Sequence, residues 1–408
     1  MNKIIDFFFI TILLCTLSEI TSFVIKGTFI GSILGLVDEL FVLCIFVYSL
    51  TKERKTSNVF TILLLLFTIS GIIGNVLHKT DTIVCIQGTF NTVKPLLLYY
   101  AFSRFDFEWC DFFRFCNHME KLFLVICIGY ILDIITPAFR QSIGYSQLDI
   151  RAGIRTIGGP FYKQTNGILF MLFYYVYYKY YNFSNWRYIF SASMIALALK
   201  IKDVFAFFIA FLTGLFRNIR VSVIIIIMPL VFLLYFLYMT FMPLHYSQYF
   251  ESGDDSNVAR VVLTSTSFKI AFDEFPFGMG FGQYGSPISR IYQSPVYSQY
   301  GIDTVYGLSF NEDSRNFMVD TFWPMIIGET GWLGTILFIC LIFSAFAPFL
   351  SGYIKDTKDL RYVFPSFLFI VMLITTVGKP VLVGPPHSFM LWGIAGIFNS
   401  LINKEYSN

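Results

Sequence analysis

The stretch RAGIRTIGGP at residues 151–160 sets Arg151 and Arg155 four residues apart, just ahead of Gly158, Gly159 and Pro160. Arginine stays charged and binds phosphate or carboxylate oxygens two at a time, so a pair of them is suited to an oxyanion. On a helix the i, i+4 spacing puts both guanidinium groups on one face, and a Gly-Gly-Pro turn lets backbone come close to a ligand. Arg260 is a further cation of this kind. The alternative is that these arginines pair with Asp149, Asp254 or Asp255 and hold loops together. For proton transfer the candidates are Asp320, Glu329, Asp313 and His245, since a general base is usually a carboxylate or an imidazole. Glu329 falls inside an apolar run, where a carboxylate is costly; its alternative is a structural contact with Lys202 or a backbone N–H. Asp320 stands at a helix start, where the alternative is an N-cap.

The elements that position these residues are membrane elements. Of 408 residues, 56% are hydrophobic and only 13% charged, with a mean hydropathy of +0.67. A soluble fold cannot bury that much apolar surface, whereas a polytopic membrane protein has lipid as its solvent. Apolar runs long enough to cross occur near 4–25, 28–50, 58–77, 83–102, 121–138, 166–182, 221–242, 322–350, 362–379 and 386–403. The stretch 187–216 is too long for one span and carries Lys200, Lys202 and Asp203 at its middle, which reads as two short helices meeting at a polar point. The expected fold is therefore an all-α polytopic integral membrane protein of about 12 transmembrane helices. It divides into an N-terminal transmembrane bundle (1–138), a catalytic region (139–350) and C-terminal transmembrane helices (351–408).

Lysine and arginine in the short loops orient the chain. TKERK (51–55), Arg104 and Arg114, RNIR (217–220) and KDTKDLR (355–361) fall on one side, read as cytoplasmic, together with both termini. Two longer loops, 139–165 and 243–321, then lie outside, and the cations of the first are exceptional there. Inside the spans, Lys94 and the Asp38-Glu39 pair either pair with each other or line a groove for lipid. Seven cysteines, with no CxxC pair, read as reduced or lipid-facing thiols. The adjacent acidic pairs Asp254-Asp255 and Asp273-Glu274 rarely converge on one ion, so no metal or other cofactor is expected, and nothing points to nucleic acid.

Four stretches, in this order, resemble the O-antigen polymerase and O-antigen ligase superfamily of membrane glycosyltransferases. Arg155 to Gly159 and on to Asn166 resembles that family's Arg…Gly…Asn segment. LALKIKDVFAFF (197–208) is similar to its Ser-Arg-Thr junction, with Lys202 in the arginine place and Asp203 in the threonine place. Arg260, an amphipathic helix and FPFGMGFGQYG (275–285) resemble its Arg…Pro…Gly-x-Gly pattern. DTFWPMIIGETGWLG (320–334) resembles its segment entering the next span. The resemblance covers roughly residues 150–340. Where ligases carry an essential histidine before that last span this chain has Asp320, which favours a polymerase over a ligase.

The resemblance implies oligosaccharide repeat units linked to undecaprenyl diphosphate, at the outer face of the cytoplasmic membrane. Arg151, Arg155, Arg260 and Lys202 would bind the diphosphate, and Asp320 and Glu329 would serve the attacking hydroxyl. Arg290, Arg315 and His245 would contact glycan. A chain-length regulator in the membrane is a further partner that such a reading allows. The rivals are an O-antigen ligase-type enzyme and a non-enzymatic transporter of lipid-linked sugars. A transporter would line a central cavity with charges from many spans, whereas here the charges gather in two loops.

Overall fold

The computed structural model describes residues 2–25, 28–52, 57–142, 150–151, 154–161, 164–182, 184–198, 255–310, 317–319, 321–356, 359–376 and 379–407. Their regular structure is helical apart from one two-residue β-ladder. In chain order the elements are α1 (Asn2–Ile25), α2 (Phe29–Leu50), α3 (Asn58–Leu77), α4 (Thr82–Ser103), α5 (Trp109–Ile135), α6 (Pro137–Ser142), β1 (Ile150–Arg151) and β2 (Ile154–Arg155). Next come α7 (Gln164–Tyr177), which runs on into a π-turn at Tyr178–Asn182, and α8 (Asn185–Leu197). After them stand α9 (Asp255–Asp273), α10 (Pro287–Ile291), α11 (Val296–Gln299), α12 (Trp323–Lys355), α13 (Leu360–Thr375) and α14 (His387–Ser407). The second half of the expected two-helix stretch 187–216, and the expected span 221–242, lie outside the described residues.

Helix ends follow local chemistry. Thr28 accepts from Gly31 N at 3.2 Å to cap α2, and Asp81 accepts from Ile83 N at 2.7 Å to cap α4. Glu108 and Asp111 form a capping box that starts α5, so this helix begins a dozen residues before the apolar run at 121–138. It stops at Ile135 because Pro137 forces the residue before it, Thr136, into an extended conformation.

Among the described residues, three helices are long and apolar enough to cross a membrane: α1, α3 and α12. Helices α7 and α13 are shorter and also apolar. Side chains such as Leu65 (58% exposed), Val125 (61%) and Ile336 (57%) stand on outer helix faces, an arrangement suited to lipid and costly in water. The interior is aromatic. Phe112, Tyr181, Phe364 and Phe398 meet where α5, the π-turn, α13 and α14 converge, and Phe346 stacks on Phe369 at 4.1 Å. Lys94 and Asp38 pair in the interior, with Glu39 at 3.8 Å, so of the two readings for these charges they pair with each other.

Contacts sort the helix ends into two sets. Asp6 near the start of α1 meets Arg114 near the start of α5 at 2.6 Å, and Lys404 at the end of α14 meets Glu108 at 3.0 Å. Arg104 at the end of α4 donates to the carbonyl of Ser49 at the end of α2. Arg187 at the start of α8 meets Glu120 at 3.3 Å. Residues near both termini therefore lie at one end of the bundle, together with 49–52, 104–114 and 184–187. The ends of α3 and α5 and the starts of α4 and α7 form the opposite end.

Helix α12 is not one rod. Gly331 has φ 62° and ψ −165°, outside any helix. Sixteen residues of straight helix would hold Phe322 and Phe338 about 24 Å apart, yet their rings are 5.6 Å apart. Residues 323–330 thus rise to Gly331 and the chain turns back down from there. The apolar run 322–350 is a short helix plus a span, not a single span.

Candidate functional site

The loop 275–285 sits in the notch that the Gly331 turn makes. Met279 N donates to Gly328 O at 3.0 Å, Gly280 N to Glu329 O at 2.8 Å, and Leu333 N to Pro276 O at 3.1 Å. On its other side Asn75 of α3 grips the loop twice, donating to Phe281 O at 2.8 Å and accepting from Phe281 N at 2.9 Å. The fit tolerates no side chain at Gly280: a Cβ there would stand 2.4 Å from Asn75 N.

Glu329 is wholly buried, and its Oε1 accepts from Gly282 N at 2.9 Å and Tyr284 N at 3.3 Å. Of its two sequence readings, this geometry is the structural contact with backbone N–H groups. Tyr284 donates to Leu263 O of α9 at 2.7 Å, and Gly285 N donates to the Tyr297 hydroxyl at 3.0 Å. Burial pushes both phenols up, Tyr297 to about 12, so both keep their protons at neutral pH. Glu329→Gln, which keeps an acceptor at Oε1, is expected to preserve folding. Glu329→Ala is expected to cost about 2–3 kcal/mol by leaving two buried N–H groups unpaired. Denaturant unfolding of purified protein in detergent measures both, and a glutamine variant as unstable as the alanine one would mean that the charge itself holds the loop.

The segment holding Arg155 is clamped from within the protein. Asp133, near the end of α5, is wholly buried. Its Oδ2 accepts from Gly158 N at 2.8 Å and Gly159 N at 3.0 Å, and its Oδ1 lies 3.6 Å from Arg155 Nη1. Arg155 Nη2 also donates to the Asp133 carbonyl and, at 3.3 Å, to that of Ile134. The arginine side chain is still 22% exposed. The helical spacing expected of Arg151 and Arg155 is corrected: they lie in an antiparallel ladder, Ile150 opposite Arg155 and Arg151 opposite Ile154. A β-ladder does not stack residues four apart as a helix turn does.

Arg260 lies in α9, the helix leading to the glycine loop, and is half-buried; Arg290 is exposed at the end of α10. Lys202, His245, Asp313, Arg315 and Asp320 lie outside the described residues. Asp133 was not among the sequence candidates. The signal that could have found it is a carboxylate within the last turn of an apolar run, a position that demands a partner. Among the described residues no three metal-ligating side chains come together.

The two clamped segments share an end of the molecule. The glycine loop meets the end of α3 and the start of α4, where a Cβ on Gly88 would touch Gly282 N at 2.5 Å. The Arg155 segment meets the end of α5 and the start of α7. Compared with known protein families and with curated protein sequences, the chain matches none.

Proposed function

We propose that the chain is a membrane glycosyltransferase that polymerises undecaprenyl-diphosphate-linked oligosaccharide repeat units at the outer face of the cytoplasmic membrane. The observation that carries this reading is that the Arg155-bearing segment 154–161 and the glycine loop 275–285, far apart in sequence, are both fastened to one end of a helical bundle. The residues near both termini lie at the other end. A lipid-linked substrate offers its diphosphate and sugar at one membrane face, and an enzyme acting on it needs its polar machinery gathered there. In this reading Arg155 keeps part of its guanidinium exposed for the diphosphate, and Arg151, Arg260 and Lys202 add positive charge. The diphosphate is a good leaving group, so cations that stabilise its departing charge supply much of the catalysis. Asp320 remains a candidate for orienting the acceptor hydroxyl, while Glu329 holds the loop.

Deletion of the gene followed by gel analysis of surface glycan tests the function. Single repeat units on the acceptor are the expected result. A bare acceptor with accumulated polymer would make the protein a ligase, and loss of all external glycan would make it a flippase. Orientation is tested separately by cysteine labelling in intact cells. A cysteine placed at Gln299, exposed at the end of α11, is expected to react from outside, and native Cys110, exposed beside the start of α5, only after permeabilisation. The reverse pattern would place the site on the cytoplasmic face and sink the proposed substrate.

A further inference from the structure

Helix α9 carries an aromatic edge that its packing leaves exposed. Leu263, Ile270 and Ala271 are buried on its inner face, where the Leu263 carbonyl accepts from Tyr284. On the outward side Phe268 is 39% and Phe272 68% exposed. Phe275, just past the end of the helix, is 69% exposed. The helical turn carries on towards it, Glu274 N donating to Ile270 O at 2.9 Å. Positions 268, 272 and 275 recur at helical spacing and so share one side. Lys269 and Asp273 stand beside them on a separate, charged edge, both exposed, with the Lys269 ammonium 5.6 Å from the centre of the Tyr300 ring. One packed face, one charged edge and one aromatic edge are the pattern of a helix that lies at a membrane surface.

The position of this edge says what covers it. The Trp332 ring meets Phe268 at 5.8 Å and Phe272 at 5.3 Å. Trp332 is the first residue after the Gly331 turn and heads the long part of α12, a helix apolar enough to cross a membrane. Below it Leu333, Ile336 and Phe343 stand exposed on the outer face. The aromatic edge of α9 therefore continues the lipid-facing side of a span. Glu274, at the end of α9, lies 3.5 Å from His78, which ends α3, the span beside α12. The edge thus sits at the mouth of two membrane helices, the height at which tryptophan is enriched and rings meet the upper acyl chains. A soluble partner is a poorer match, because the face it would cover runs on into that of the span.

We propose that Phe268, Phe272 and Phe275 form a lipid-binding surface, immersed beside Trp332 in the leaflet at the glycine-loop end of the bundle. The partner is the lipid itself. Acyl chains take the rings, while the edge of Lys269 and Asp273 stays with headgroups and water. The segment 243–321, read from sequence as a loop outside the membrane, is in this part a membrane-surface element. Phe275 is also the first residue of the glycine loop, so immersion holds that loop at the height of the lipid headgroups. The inference does not depend on the polymerase reading. Under that reading, the same height is where a lipid-linked sugar presents its diphosphate.

The test uses the full chain, with Cys44, Cys85, Cys110 and Cys340, the cysteines that are not buried, replaced by alanine. Phe272→Cys, Phe275→Cys, Lys269→Cys and Asp273→Cys each receive a nitroxide spin label, and each protein is reconstituted in vesicles of phosphatidylethanolamine and phosphatidylglycerol. Oxygen concentrates among acyl chains and a nickel chelate stays in water, so the relaxation of a label by each reports what surrounds it. Labels at 272 and 275 are expected to be relaxed more by oxygen than by the chelate, and labels at 269 and 273 the reverse. Chelate access as high at 272 and 275 as at 273 would place the edge in water and overturn the proposal. Labels at 272 and 275 shielded from both reagents would overturn it too, because protein, from this chain or a second copy, would then cover the edge. Phe275 is as exposed as Phe272, so Phe275→Cys decides the question even if Phe272→Cys, which takes a ring from Trp332, fails to fold. The readout involves no glycan, so failure here leaves the polymerase reading untouched.

Discussion

Gly331→Ala is expected to destabilise the protein by roughly 3–5 kcal/mol and, under the proposed function, to abolish polymer. Two costs combine. The backbone at φ 62° and ψ −165° lies in a region held almost wholly by glycine, with a strain of about 1–3 kcal/mol for other residues. The added Cβ would also stand 2.4 Å from Pro276 O and 2.5 Å from Gly278 N. Those are backbone atoms of the loop seated in the notch, so relief means pushing the loop out and losing hydrogen bonds worth about 1 kcal/mol each. Gly301 provides the control. It has a φ of 67° but open space around a Cβ, so Gly301→Ala carries strain alone, about 1–2 kcal/mol. Denaturant unfolding of both variants in detergent compares them directly. Equal losses would mean that the loop is not wedged against α12.

The contrast between these glycines shows what can be read from sequence and what cannot. Residues 275–285 stand out as a glycine-aromatic turn, and the spacing of apolar runs places α3 at the bounds observed, because both depend on neighbouring residues. The turn at Gly331 does not stand out. WPMIIGETGWLGTILF reads as continuous apolar helix, and the chain reverses there only because a loop some fifty residues earlier fills the notch and bonds to Gly328, Glu329 and Leu333. Asp133 was hidden for a similar reason. Its partners lie 22 to 26 residues ahead, beyond the end of α5, and nothing local marks them as partners. Two arginines and a Gly-Gly turn read as a site awaiting an anion from outside, and for Arg155 the protein supplies a carboxylate of its own as well.

Asp133→Ala is expected to unfold or empty the membrane of the protein, with a loss of about 3–5 kcal/mol, the usual cost of removing one partner of a buried charge pair. The carboxylate neutralises Arg155 and satisfies the N–H groups of Gly158 and Gly159 at once, so its removal leaves the guanidinium without its counter-charge, on backbone carbonyls alone, and two buried N–H donors without an acceptor. Arg155→Ala alone cannot separate structure from function, because it strands Asp133 in the interior and removes a proposed diphosphate contact in one step. The double variant Asp133→Asn with Arg155→Met separates them. Asparagine keeps an acceptor for the two glycine N–H groups, methionine fills the space of the arginine stem, and no buried charge remains uncompensated. Most of the stability should return, since charge pairs replaced together by neutral groups are often tolerated, and the non-additivity of the two single losses measures their coupling. Polymer should not return, because a methionine cannot hold a diphosphate. A double variant that folds and makes full-length glycan ladders would reduce Arg155 to the partner of Asp133 and move the search for the diphosphate's cation to Arg260.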